Sequence, residues 1–190
     1  MTLPNVLTVF RILLTIVFIV LMPQHGLMPK LAAALVFIIA SFTDYFDGYY
    51  AKKFNLITDF GKLMDPIADK FLILAAFFIF MQMHLIAAWM FVIIFLREVL
   101  ITGLRLFAMG KGEVLAAEKT GKYKTVAQMI AIFFILIFII FTETHFFETW
   151  PKMVMQGWLS GILILMLIAV GLTLVSGILY VWDNRRLMHV

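Results

Sequence analysis

The sequence predicts an all-α integral membrane protein with six transmembrane helices and a short N-terminal interfacial helix, forming one domain over residues 1–190. Two observations support this prediction. First, 64% of the residues are hydrophobic, against about 45–50% in soluble domains. Second, the apolar runs are long and unbroken, and about 20 such residues let a helix cross the hydrocarbon core. They lack the alternation of transmembrane strands, which argues against a barrel.

Six apolar stretches are long enough to span a bilayer. The connections between them are short, so we expect consecutive helices to be neighbours. No small-residue cleavage site follows the first stretch, which indicates a retained helix rather than a signal peptide. The stretches cover roughly residues 7–23, 31–52, 60–83, 86–108, 122–142 and 157–182.

Basic residues predict the orientation, because cytoplasmic loops carry an excess of Lys and Arg. One set of connections carries only Lys30 and Lys152. The other set is strongly basic, so we expect it, and both termini, on the cytoplasmic side. Its basic residues are Lys52, Lys53, Lys62, Arg105, Lys111, Lys119, Lys122, Lys124, Arg185 and Arg186.

Composition also excludes several classes of function. The chain has no cysteine, so it has no disulfide framework, haem attachment or thiolate metal site. Its net charge of +4 is not gathered on a polar basic face, so we expect no nucleic acid partner.

The N-terminal segment MTLPNVLTVFR has a polar stripe if it is helical, because Asn5, Thr8 and Arg11 recur every three residues. This pattern is typical of a short interfacial helix that enters the first span. A simple helix cap with a snorkelling arginine explains it equally well.

Residues 41–70 form an acidic hairpin that holds five of the 11 acidic residues. Acidic residues at the edge of a hydrophobic segment are costly and usually mark a functional site. Four of them, on two successive helices, are Asp44, Asp47, Asp65 and Asp69.

The spacing of these aspartates brings them to one depth. With a turn centred on Leu56, Asp47 and Asp65 are each nine residues away, while Asp44 is twelve and Asp69 thirteen. At about 1.5 Å per helical residue, the members of each pair reach the same level. The i,i+3 and i,i+4 spacings place each helix's two aspartates on one face.

Four neighbouring carboxylates must share protons, pair with cations or bind divalent metal. Lys62 and Lys70 are close in sequence, but two cations do not neutralise four acids. All-oxygen ligands suit Mg²⁺ or Mn²⁺, and two such ions would recruit a phosphate-bearing substrate.

Gly48 and Gly61 leave space for a ligand beside an aspartate, although helix packing explains glycines too. Pro66 either starts a helical segment or kinks the third helix.

The pattern Asp44-x-x-Asp47-Gly48-x-x-Ala51-Lys52, then eight residues, then Gly61-x-x-x-Asp65-x-x-x-Asp69 resembles the signature of the CDP-alcohol phosphotransferase family. Eight defined positions over 26 residues agree in spacing. One departs: the family usually has arginine where this chain has Lys52, and lysine lacks the planar fork of arginine.

The resemblance implies a six-helix homodimeric membrane enzyme with a two-metal site, in which a CDP-linked lipid donates a phosphatidyl group to an alcohol and CMP is released. It implies that Asp69 is the general base on the acceptor hydroxyl. The implied metal ligands are Asp44, Asp47, Asp65 and Asp69, and the implied CDP-lipid contacts are Asn5, Thr8, Gly48, Ala51, Lys52 and Gly61.

The acceptor is predicted from the second half of the chain. Arg105 ends the fourth span, and Lys122 and Lys124 begin the fifth. Such cations suit an acceptor with its own phosphate, although basic residues at cytoplasmic helix ends are expected in any case. For Arg97, an internal ion pair with Glu98 and a ligand contact are equally compatible with the sequence.

These segments, with PNVLTVFR and KFNLITDFGK, resemble a bacterial branch of the family over roughly residues 4–130, and the last helix matches only in hydrophobicity. That resemblance implies CDP-diacylglycerol as donor, glycerol 3-phosphate as acceptor and a place in the bacterial cytoplasmic membrane. The same chemistry with inositol phosphate, serine or phosphatidylglycerol as acceptor is the nearest alternative. A cation transporter is a second one, but it should place acids near the bilayer midplane on opposed half-helices.

Overall fold

The computed structural model describes residues 3–54, 59–110, 120–144 and 149–184, with side chains at 6–43, 67–68, 70–108, 121–144 and 149–184. The described residues form six α-helices and contain no strand, which confirms the all-α class. Each predicted span corresponds to one helix. The helices are α1 Leu3–Leu21, α2 Leu27–Phe54, α3 Asp59–Gln82, α4 Ala88–Gly110, α5 Thr120–Thr142 and α6 Lys152–Asp183.

Within the described residues, two helical segments are long and apolar enough to cross a membrane, Gly121–Thr142 in α5 and Lys152–Asp183 in α6. Three further helices contribute shorter apolar segments. The length and apolar character of these helices are consistent with an integral membrane protein. That all six helices cross the bilayer stays a prediction. The shorter segments are Val6–Leu21, Leu27–Thr43 and Lys70–Gln82.

The predicted N-terminal helix is the first part of α1, which runs without a break. Thr8, Arg11 and Thr15 are all buried along one stripe of this helix. The Thr15 hydroxyl donates a hydrogen bond to the Arg11 carbonyl at 2.8 Å. Arg11 is only 1% exposed, so the explanation by a snorkelling arginine is wrong. A buried guanidinium needs polar surroundings, and α1 therefore carries a buried polar face as well as an apolar one.

The chain divides into two compact units. The first, Met1–Met83 with Leu136–Trp150, contains α1, α2, α3 and the end of α5. In it α1 packs against α2 and α3, and α2 against α3. Phe18 of α1 and Phe37 of α2 are fully buried, with ring centroids 5.6 Å apart. The second unit, His84–Ile135 with Pro151–Val190, contains α4, most of α5 and α6.

In the first unit, the turn between α1 and α2 is joined to the end of α5. Gly26 has φ 101°, a conformation that favours glycine, and its N–H donates to Glu143 at 3.0 Å. The buried Lys30 ammonium donates to the Met22 carbonyl at 2.6 Å and lies 3.9 Å from the Glu143 carboxylate. Glu143 therefore ties the turn and the start of α2 to α5.

In the second unit, α4 and α6 point in the same direction. Arg97 of α4 contacts Ser176 of α6, and Arg105, farther along α4, contacts Tyr180, farther along α6. The last part of α4 and the last part of α6 therefore lie at one end of this unit.

The helix α5 runs in the opposite direction to its neighbours. Lys124 bonds to Glu98 of α4, and Gln128, one turn later, bonds to Thr173 of α6. Thr173 precedes Ser176, which lies beside Arg97. The start of α5 thus lies at the same end of the unit as the last parts of α4 and α6.

Candidate active site

The four aspartates lie on two helices that pack against each other in the first unit. Asp44 and Asp47 belong to α2, and Asp65 and Asp69 belong to α3. Their side chains lie outside the described residues, so their role as metal ligands stays a prediction. Among the side chains that are described, no group of three His, Cys, Asp or Glu residues could hold a metal ion.

The helix boundaries agree with the hairpin inferred from the sequence. Helix α2 ends at Phe54 and α3 begins at Asp59, so the predicted turn falls between them, at residues that are not described. Pro66 lies inside α3 and does not start it. The predicted CDP-lipid contacts all lie in helices: Asn5 and Thr8 in α1, Gly48, Ala51 and Lys52 in α2, and Gly61 in α3. Among them, only the side chain of Thr8 is described, and it is buried.

The predicted acceptor residues come together at one end of the second unit. Arg105 lies in the penultimate turn of α4, and Lys122 and Lys124 lie at the start of α5. Arg105 and Lys122 are exposed, whereas Lys124 is buried. The opposite directions of α4 and α5 bring these cations, separated by 17–19 residues in the chain, to the same end of the unit.

Lys124 belongs to a buried cluster of charged groups. One oxygen of Glu98, Oε1, accepts a hydrogen bond from the Lys124 ammonium and another from Arg97 at 3.5 Å. Arg97 also donates to the Ser176 hydroxyl at 3.1 Å. A Cβ atom at Gly177 would lie 3.2 Å from Cγ of Arg97, so glycine there lets the arginine pack closely against α6. Of the two interpretations of Arg97, the structure shows the internal ion pair.

The contribution of this cluster to the stability of the fold depends on its burial. The side chains of Glu98 and Lys124 are each 2% exposed. Removing two charges from water is costly, and only good geometry with further hydrogen bonds offsets it. The sequence was compatible with a pair of Glu98 with Arg97, but it did not predict the pair with Lys124, because Lys124 is 26 positions away.

The polar stripe of α6 was not predicted from the sequence. Thr173, Ser176 and Tyr180 follow i, i+3, i+7 and are buried. Gln128 donates to the Thr173 hydroxyl at 3.3 Å. The guanidinium carbon of Arg105 lies 5.9 Å from the centroid of the Tyr180 ring. The spacing of these three residues was a usable signal, but it is weak in a helix that is otherwise uniformly apolar.

Comparison with known proteins agrees with the aspartate pattern. The family model described as CDP-alcohol phosphatidyltransferase matches residues 1–182. A relative from Bacillus subtilis is 46% identical over 147 residues, covering 71% of this chain and 76% of its own length. A relative from Rickettsia typhi is 37% identical over 135 residues (71% and 76%), and one from Escherichia coli K12 is 36% identical over 138 residues (70% and 75%).

All three relatives carry the name CDP-diacylglycerol–glycerol-3-phosphate 3-phosphatidyltransferase. The family match extends over nearly the whole chain, well beyond the eight positions of the signature. The prediction made from the residues between Asp44 and Asp69 is confirmed, and the chain belongs to the CDP-alcohol phosphatidyltransferase family.

Proposed function

We propose that this protein is a phosphatidylglycerophosphate synthase, which transfers the phosphatidyl group of CDP-diacylglycerol to glycerol 3-phosphate and releases CMP. The observation that carries the proposal is the 46% identity to a relative named for this reaction. The complete aspartate signature supports the transfer chemistry, and the cations at one end of the second unit support a phosphorylated acceptor.

Asp69 is the proposed general base. It accepts the proton of the attacking acceptor hydroxyl while the new bond forms to the lipid-bearing phosphorus of the pyrophosphate. The bond from that phosphorus to the bridging oxygen breaks, and the oxygen leaves with CMP. A carboxylate suits this task because it accepts one proton from the acceptor hydroxyl in each turnover and releases that proton to water afterwards.

The carboxylate oxygens of Asp44, Asp47, Asp65 and Asp69 are a donor set that fits two Mg²⁺ or Mn²⁺ ions. When bound, such ions neutralise charge on a pyrophosphate and on its leaving group. Without cations, four carboxylates on two packed helices repel one another, so the donor set itself supports the assignment. The remaining positions of the signature and of α1, named above as CDP-lipid contacts, surround the nucleotide in this proposal.

The proposed setting is the bacterial cytoplasmic membrane. All six helices cross it as a single domain over residues 1–190, the first part of α1 lies at the interface, and the protein is a homodimer. Both termini and the active site face the cytoplasm, where the soluble glycerol 3-phosphate is available. The excess of basic residues on one set of connections supports this orientation.

The test of the function is CMP release by the purified protein. CDP-diacylglycerol and Mg²⁺ are supplied with glycerol 3-phosphate, inositol phosphate, serine or phosphatidylglycerol in separate reactions. We expect release that depends on glycerol 3-phosphate. If CMP is released only with another acceptor, that molecule is the substrate in place of glycerol 3-phosphate. If no acceptor gives CMP release, the result contradicts an enzymatic role.

Replacing Arg105 by alanine is expected to raise the KM for glycerol 3-phosphate by about tenfold or more, because a charge-assisted hydrogen bond contributes about 1.5–3 kcal/mol. The KM for CDP-diacylglycerol should change little. Steady-state kinetics with each substrate varied in turn measures both values.

The matched control is Lys152→Ala, which removes an exposed cation at the start of α6, the opposite end of the second unit. It should leave both KM values unchanged. An equal effect of Arg105→Ala on donor and acceptor would argue against an acceptor-phosphate site at this residue.

A further inference from the structure

The hydroxyl of Tyr180 is one of four buried polar side-chain atoms in the described part of the second unit that lack a hydrogen-bond partner; the others are Arg97 Nε, Glu98 Oε2 and Gln128 Oε1. Tyr180 lies in the last turn of α6 and is 2% exposed. Its hydroxyl oxygen is buried and has no hydrogen-bond partner among the described residues. Most buried polar side-chain atoms in folded proteins have a partner, because leaving one unsatisfied is costly.

The other buried hydroxyls of the α6 stripe are satisfied. Thr173 donates to the Ala169 carbonyl at 2.6 Å and accepts from Gln128. Ser176 donates to the Thr173 carbonyl at 3.2 Å and accepts from Arg97. Tyr180 differs from Thr173 and Ser176 because its hydroxyl has no partner among the described residues. It is also the residue of the stripe whose ring lies under Arg105.

Tyr180 is placed beside an accessible cation. The Arg105 guanidinium lies over its ring, 5.9 Å from the centroid, where the ring face attracts a positive charge. Arg105 is itself exposed, so an anion can reach the guanidinium from the side that faces away from the Tyr180 ring. Lys122, also exposed, begins α5 at the same end of the unit.

We propose that the Tyr180 hydroxyl donates a hydrogen bond to the phosphate group of the acceptor bound at Arg105. This inference rests on the proposed function and extends it to a residue of the last helix. A phosphate monoester offers three acceptor oxygens, of which a guanidinium engages at most two by parallel hydrogen bonds. A neutral hydroxyl satisfies a further oxygen without adding charge. The acceptor class is therefore a small alcohol that carries a phosphate monoester.

Replacing Tyr180 by phenylalanine tests the contact, because it removes only the hydroxyl and keeps the ring under Arg105. We expect the KM for glycerol 3-phosphate to rise about tenfold, with the KM for CDP-diacylglycerol unchanged. Inorganic phosphate, used as a competitor against glycerol 3-phosphate, should show a Ki raised by the same factor. The thermal midpoint should stay the same or rise, since an unsatisfied buried hydroxyl has been removed.

Thr173→Val is the matched control, because it removes a buried hydroxyl of the same stripe that does have partners. It should lower the thermal midpoint and leave the KM for glycerol 3-phosphate unchanged. A structural role for Tyr180 predicts that both variants change stability alone.

The outcomes separate this inference from the proposed function. If the wild type releases CMP with glycerol 3-phosphate and Tyr180→Phe has the same KM, the contact is overturned and the function stands. A rise in both KM values, or an unchanged Ki for phosphate, also overturns the contact. If the wild type does not use glycerol 3-phosphate, the function fails and the contact with it.

Discussion

Asp69→Asn is expected to lower kcat for CMP release by about 10²–10⁴-fold, the usual contribution of a general base. The amide has nearly the same shape as the carboxylate and keeps one oxygen that can ligate metal, but it does not accept the proton of the acceptor hydroxyl. Binding of Mn²⁺ and of CDP-diacylglycerol should therefore be largely retained. Rapid-quench kinetics with glycerol 3-phosphate, together with binding measurements for Mn²⁺ and the lipid, separates the two effects.

Asp59→Asn provides the matched control for this variant. Asp59 begins the same helix, α3, but occupies none of the eight defined positions of the aspartate signature. We expect its replacement to leave kcat within about twofold of the wild type, since an exchange away from the reacting atoms removes no proton acceptor. Wild-type turnover by Asp69→Asn would show that another group accepts the proton.

Glu98→Ala is expected to lower the free energy of unfolding by about 3–5 kcal/mol, as is usual when one partner of a buried ion pair is removed. The variant takes away the carboxylate that Lys124 and Arg97 share in the second unit. Both cations are held among the apolar residues of α4, α5 and α6, where charge without a matching carboxylate is costly. Denaturant unfolding in detergent micelles, followed by far-UV circular dichroism, measures the loss.

Two further variants identify the cause of that loss. Glu98→Leu combined with Lys124→Met replaces the pair by apolar side chains of similar size, and we expect it to recover much of the lost stability. Gln128→Leu breaks a single neutral hydrogen bond to Thr173 between α5 and α6, so it should cost only about 1 kcal/mol. If Glu98→Ala is no less stable than Gln128→Leu, the ion pair does not stabilise the fold in the way described.

The number and the approximate bounds of the helices could be predicted because they depend on local properties. An unbroken apolar run of sufficient length favours a helix whatever its neighbours are. The predicted fourth span, residues 86–108, is α4 Ala88–Gly110, and the predicted fifth, residues 122–142, is α5 Thr120–Thr142. The sequence missed the burial of Arg11, since hydropathy alone does not say which face of α1 the other helices cover.

Local sequence patterns predicted the membrane class, the approximate positions of the helices, the aspartate hairpin and the family, because each prediction rests on hydropathy and periodicity within one helix or on a short spaced motif. Only the tertiary structure decided the partners of the polar groups in the second unit. Arg97 meets Ser176, 79 residues away, and Lys124 meets Glu98. Polar groups buried among apolar helices bond to whichever partners packing brings within reach. The direction and register of three helices, which no single stretch encodes, therefore set the cluster and placed the ring of Tyr180 under Arg105.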